Sequence, residues 1–184
     1  MIDVDGKSLG GHVPLVVGVT GHRDLIAEEQ DQIKTRIRDC FEHLQNTFPN
    51  LPLMVMTPLA EGADRIAAEV AHELRIPTVV LLPMPQHLYQ SDFEGDSLDE
   101  FRHMLDLGEA VELPLLANLS EADVEKPGRG RDLQYAQLGA YLAAHCHILL
   151  AVWDGKPSNA PGGTGHVVNF HHHDVMELIA GGQQ

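Results

Sequence analysis

Cysteine, long apolar runs and positive charge are all scarce in this chain. Two cysteines, Cys40 and Cys146, stand among 184 residues. A small disulfide-built secreted scaffold needs more, so both read as buried free thiols and the chain as cytoplasmic. No apolar run approaches the ~20 residues that cross a bilayer. Residues 1–12 are polar and glycine-containing, without the apolar stretch of a signal peptide. Lys and Arg number 12 against 27 Asp and Glu, a formal net charge of −15. That balance removes the electrostatic basis for non-specific binding to nucleic acid or to an anionic membrane. A small anion is another matter. Backbone N–H groups and one or two local cations hold a phosphate whatever the global charge.

Hydrophobic residues make up 43% of the chain, enough for a real core. The length fits one domain, with residues 1–13 peripheral to it. From Pro14 onwards strand-like and helix-like patterns alternate, which predicts a Rossmann-like three-layer α/β/α domain. Its sheet is expected to be mostly parallel, with about five or more strands. Leu15–Thr20 is a nearly all-apolar strand, as a strand buried on both faces should be. Ile26, Ile33, Ile37, Phe41, Leu44 and Phe48 then recur at helical spacing. Leu53–Thr57 and Pro77–Leu82 are the next strands, with a helix over Ala63–Leu74 between them. Leu98, Phe101 and Leu105 suggest a helix inside the stretch from Gln86 to Asp106. Ala110–Leu116 is a fourth strand candidate, and Leu119–Arg131 reads as a mobile polar excursion. A helix over Asp132–Cys146 places Tyr135, Leu138, Leu142 and Cys146 on one side. Ile148–Val152 is the last strand, and a final helix starts near Gly165 with a break before Val175.

Ligands of open α/β sheets bind beyond the carboxyl ends of the strands. Three loops fall on that edge: Thr20–Asp24, Thr57–Asp64 and Trp153–Gly165. Glycine in each lets backbone approach a ligand, and the following helix offers free N–H groups to phosphate. Arg23 and Lys156 can add charge-assisted contacts, and Thr20 and Thr164 hydroxyl groups. Neither standard fingerprint is present: no G-x-G-x-x-G follows the first strand, and no G-x-x-x-x-G-K-[ST] occurs. His171, His172 and His173 point about 100° apart on a helix and do not face one ion, so no metal site is assigned. His145 and His147 are expected in core or interface roles, since no further ligands stand at zinc spacing. No serine sits on a nucleophile-elbow pattern. Asp154 can hold a ribose hydroxyl or a metal, or it can cap the Gly155-Lys156 turn.

The loops together resemble the SLOG superfamily, the Rossmann-like group that includes the Smf/DprA and Lonely Guy (LOG) proteins. The likeness lies in Val17-Gly18-Val19-Thr20-Gly21-His22-Arg23, Leu59-Ala60-Glu61-Gly62-Ala63-Asp64-Arg65 and Leu81-Leu82-Pro83-Met84-Pro85. It continues in Leu150-Ala151-Val152-Trp153-Asp154-Gly155-Lys156 and Gly162-Gly163-Thr164-Gly165. It extends over roughly Pro14 to Phe170. The resemblance implies a nucleotide or nucleotide-derived ligand over the strand ends, contacted by residues of these motifs. LOG enzymes cleave the N-glycosidic bond of nucleoside monophosphates, and their hallmark resembles P-G-G-x-G-T-x-E-E. Here Pro161 to Gly165 keep the glycines, but Val168 and Asn169 occupy the positions of the two glutamates. Valine cannot move a proton or stabilise an oxocarbenium-like centre. Glu61 or Asp64 can replace the lost carboxylate, or serve simply as helix N-terminal charge.

The expected function is therefore binding or sensing of a nucleotide or an ADP-ribose-like molecule, with no further cofactor. The alternative is a nucleoside-phosphate N-glycosidase with a non-standard carboxylate. DprA-like handling of single-stranded DNA needs a basic groove, which the charge opposes. Pairing of copies through exposed sheet faces is a further option.

Overall fold

The computed structural model describes residues 13–156 and 162–173. The expectations for residues 1–12, for Pro157 and Pro161, and for a break before Val175 lie outside the described residues. Five strands form one parallel sheet in the order β4-β3-β2-β1-β5. They are β1 (Leu15–Gly21), β2 (Leu53–Thr57), β3 (Thr78–Leu82), β4 (Glu109–Glu112) and β5 (Ile148–Val152). The helices are α1 (Gln30–Thr47), α2 (Ala63–Glu73), α3 (Gln86–Tyr89), α4 (Gly95–Asp106), α5 (Glu121–Val124), α6 (Arg129–His145) and α7 (Thr164–His173). The architecture is the Rossmann-like α/β/α sandwich that the alternating pattern predicts.

The strands' period of two sorts their side chains into two cores. Val17 and Val19 of β1, with Leu53 and Val55 of β2, pack on Ile37 and Phe41 of α1 and Val70 of α2. Val16, Met54 and Met56 point the other way, onto Leu138 and Leu142 of α6 and Val167 of α7. A third cluster joins Val80 and Leu82 of β3 to Phe101 of α4, Tyr89 of α3 and Val124 of α5. Complete burial of a side chain such as Phe41 contributes roughly 2–3 kcal/mol. Parallel register sets Val17 beside Ile148 and Leu15 beside Leu53, which brings the ends of β1 and β5 together. His147 locks that register. Its backbone N–H donates to Val16 O at 2.9 Å, and its Nδ1 accepts from Val16 N–H at 3.0 Å. Cys146 fills the space beside Gly18, where a Cβ would lie 2.9 Å from its sulfur. Both cysteines are free, and burial pushes both thiols up. No helix among the described residues is long and apolar enough to cross a membrane.

Several boundaries differ from the sequence expectation. Ile26 is 60% exposed rather than on the apolar face, because a short 3-10 turn (Ala27–Glu29) precedes α1. β4 ends at Glu112 instead of Leu116. Leu113 N–H still reaches Leu82 O at 2.9 Å, and Pro114 cannot continue the ladder. The supposed mobile excursion is folded. Ser120 and Asp123 form a reciprocal cap on α5, and α6 starts at Arg129 rather than Asp132. Arg131, placed by sequence on that excursion, is buried.

Candidate functional site

The chain steps from β1 through β2 and β3 to β4 on one side, then places β5 on the other side of β1. The crevice of such a sheet lies at this reversal, beyond the carboxyl ends of β1 and β5. A cleft of about 400 Å³ opens there. Its walls bring together the loops after β1, β2 and β5, through Thr20, Gly21, His22, Arg23, Asp64 and the Gly162-Gly163-Thr164 segment. Such a volume suits a small ligand.

The α7 N-terminus supplies one wall. Gly163 O accepts from His166 N–H at 2.9 Å and from Val167 N–H at 3.2 Å, which closes the first turn. The N–H groups ahead of that turn, including those of Thr164 and Gly165, have no partner within the helix. They carry the positive end of its dipole. Arg23 stands at the exposed rim, within Coulombic range of Asp64, Asp92, Tyr89 and Tyr135. It forms no salt bridge among the described residues. A cation without a carboxylate partner, beside a helix N-terminus, is a natural phosphate contact.

Asp64 is the most unusual group in the cleft. It is 3% exposed, and its Oδ1 has no hydrogen-bond partner. Burial pushes its carboxyl up to about 8, against the opposing pull of the Ala60 N–H and the Arg23 and Arg65 charges. A carboxyl perturbed by burial in a cleft is a functional-site candidate. The stability consequence has a definite sign. The folded chain keeps this proton at neutral pH, whereas the unfolded chain releases it near 4, so Asp64 destabilises the fold increasingly from about pH 4 to about pH 8. Asp64→Asn is expected to be more stable than the parent by several kcal/mol at pH 8, with the difference gone near pH 4. Urea melts at the two pH values check it.

Other residues singled out from sequence stand elsewhere. Glu61 accepts from Ser97 Oγ at the start of α4, away from Thr164. Arg65 points the same way: it donates to Ser97 Oγ at 3.0 Å and to Leu59 O at 3.3 Å, pairs with Glu100 at 2.5 Å, and stacks over Phe93. Gly62, Glu61 and Arg65 line a neighbouring polar cleft that Arg23 also borders. Asp154 caps its own turn. Its Oδ1 accepts from Lys156 N–H at 3.1 Å and lies 3.3 Å from His22 Nε2, while its Oδ2 pairs with Lys156 Nζ at 2.8 Å. Lys156 foremost, with His22 adding, holds the Asp154 carboxyl far below the usual carboxylate range. Lys156 is thus engaged by Asp154.

Three of the loop glycines are required by the packing of the loops themselves. The expectation was close approach of a ligand, yet at three of them the vacant Cβ position faces protein. A Cβ on Gly21 would lie 2.3 Å from Ala63 Cβ, and one on Gly162 would lie 2.6 Å from the Tyr135 backbone. At Gly62 it would lie 2.3 Å from Arg23 O. These glycines fit the three loops to one another.

Four contributors to the site escaped the sequence reading: Tyr89, Asp92, Arg131 and Tyr135. Tyr89 and Tyr135 line the cleft. Tyr89 donates to Pro58 O at 3.2 Å, and Tyr135 donates to Asp92. Arg131 clamps the group, pairing with Asp92 at 2.6 Å and donating to Leu88 O, Val124 O and Tyr135 Oη. No local motif marks them, because they converge from α3, the 3-10 turn after it and α6.

No protein-family model and no curated protein sequence matches this chain. Among solved structures it is similar to DNA processing protein A (DprA) from Streptococcus pneumoniae, with a TM-score of 0.55 and 13% identity. The alignment covers 88% of this chain and 47% of that one, so the chain spans about half the length of DprA. The chain shares the Rossmann-like α/β fold of that structure. At that identity the likeness is one of fold.

Proposed function

We propose that this chain is a SLOG-type protein that binds a nucleotide or nucleotide-derived small molecule, of the ADP-ribose kind, and acts as a cytoplasmic ligand sensor. The observation that carries the reading is the convergence, in one cleft at the sheet reversal, of the α7 N-terminus, unpaired Arg23 and buried Asp64. The phosphate sits on the Thr164 and Gly165 N–H groups and Arg23, with the Thr20 and Thr164 hydroxyls beside it. Val168 and Asn169, where LOG enzymes carry glutamates, favour binding over turnover.

A ligand that binds only the folded chain stabilises it by mass action. Nucleoside monophosphates, ADP and ADP-ribose at about millimolar concentration are each to be tested for a rise in Tm, and at least one rise is expected. Arg23→Ala should weaken that ligand by about 10–100-fold, the worth of a hydrogen bond to a charged group. Lys126→Ala, outside the cleft, should not. Absence of any rise across the panel would overturn the proposal.

One observation favours a second reading, the N-glycosidase. Asp64, unlike Glu61, lies in the cleft and holds a proton near neutral pH. Release of free base from nucleoside monophosphates, abolished by Asp64→Asn, would establish it.

A further inference from the structure

Asp64 and the α7 N-terminus present a chemical mismatch that a bound anion makes acute. An ionised Asp64 offers only acceptors, and so does the dianionic phosphate of a nucleotide. Two unit negative charges about 4 Å apart repel by roughly 4 kcal/mol at the effective dielectric of a protein surface, and a dianion doubles that. No cation neutralises the carboxyl by direct contact: Arg65, on the same helix, is turned to Glu100, and Arg23 stands at the rim. The Ala60 N–H favours the carboxylate from nearby, while Oδ1 is buried without any partner. A carboxylic acid, by contrast, has one O–H to give, and a phosphoryl oxygen is its natural acceptor.

We infer that Asp64 meets the bound phosphate as a neutral carboxylic acid, donating a hydrogen bond to a phosphoryl oxygen, so that the anion binds the form of the protein in which Asp64 is protonated. This rests on the phosphate-binding reading above and adds to it a proton-coupled affinity. The ionisable groups around Asp64 are Arg23 and His22 from the loop after β1, Arg65 from α2, Tyr89 from α3 and Tyr135 from α6. Burial raises both phenols, Tyr135 to about 12 and Tyr89 beyond it, so neither titrates below pH 10. His22 is the remaining group to separate from Asp64, and a variant does so.

The probe is AMP, whose phosphate is fully dianionic above about pH 7. Calorimetric titration at pH 9 in two buffers of different ionisation enthalpy reads the protons taken up. With Asp64 ionising near 8 in the free protein, uptake of about 0.9 proton per AMP is expected at that pH. AMP affinity should fall about thirtyfold between pH 7 and pH 9.5. Asp64→Asn should bind AMP with no proton uptake and a flat pH profile, and His22→Gln should keep the parent's slope. AMP binding without proton uptake at pH 9 overturns the inference alone, as does a slope that survives in Asp64→Asn. Where AMP does not bind at pH 7 but ADP or ADP-ribose does, that nucleotide takes its place as the probe, and absence of binding by all of them overturns the phosphate-binding reading and the inference with it. If Asp64→Asn does not fold, the two-buffer measurement on the parent chain decides by itself.

Discussion

Gly62→Ala is expected to destabilise the chain by about 4 kcal/mol or more and to abolish nucleotide binding. Two effects combine. Gly62 is the N-cap of α2 at φ 76°, ψ −120°, a backbone conformation that costs an L-residue roughly 1–3 kcal/mol. Its Cβ would then lie 2.3 Å from Arg23 O and 2.5 Å from His22 O. Those are backbone atoms, and they cannot rotate aside as the end of a flexible side chain does. The loop after β1 would have to move, and Ala63 N–H would lose its 3.2 Å bond to His22 O. Arg23 would leave the cleft with it. Two further substitutions separate the terms. Gly155→Ala has positive φ but open space among the described residues, so only the strain remains, about 1–2 kcal/mol. Gly128→Ala has extended backbone and open space and should change stability by less than about 0.5 kcal/mol. Urea denaturation of the three variants orders them as Gly62, Gly155, Gly128. A Gly62→Ala no worse than Gly155→Ala would show that the loop contact is dispensable.

That series also measures how far sequence reasoning reaches. The parallel sheet was legible because Leu15–Thr20, Leu53–Thr57 and Ile148–Val152 are short, nearly continuous apolar runs separated by helical spacing. β1 and β2 are buried on both faces and leave that trace, and the partly exposed edge strand β5 carries the same kind of run. The three loops were legible as a set for a related reason, since the strand ends of a parallel sheet share one edge. What the glycines do there was not legible. A glycine that admits a ligand and one that admits a neighbouring backbone look alike until the neighbour is placed. The choice between Glu61 and Asp64 was hidden in the same way. They are three residues apart at the start of one helix, yet one meets Ser97 and the other enters the cleft. Their partners lie on elements whose positions sequence spacing does not specify. The segment before α6 was misread because its composition is polar. Lys126, Arg129 and Arg131 look alike as solvated charges, and only a tertiary partner for Arg131 distinguishes it.

Arg131→Met should cost about 3–5 kcal/mol, although the replacement is apolar and of similar reach. The Arg131 side chain is 4% exposed and Asp92 is 17% exposed, so their pair lies largely out of water. Removing one partner leaves a carboxylate with a phenol as its remaining side-chain contact, and takes its side-chain donor from Val124 O, while Leu88 O keeps Ser91 Oγ. Arg131→Lys should recover little, because an ammonium cannot reproduce the fork that reaches Asp92, Leu88, Val124 and Tyr135 together. The double variant Asp92→Asn, Arg131→Met removes the uncompensated charge and should regain about half of the loss, a coupling that a double-mutant cycle reads directly. The clamp also reaches the site. Tyr135 lines the cleft, and its backbone fills the space left by Gly162 ahead of α7. Releasing Arg131 therefore loosens the wall that carries the α7 N-terminus, and nucleotide affinity should fall with stability. A variant that loses stability but keeps affinity would separate the clamp from the cleft.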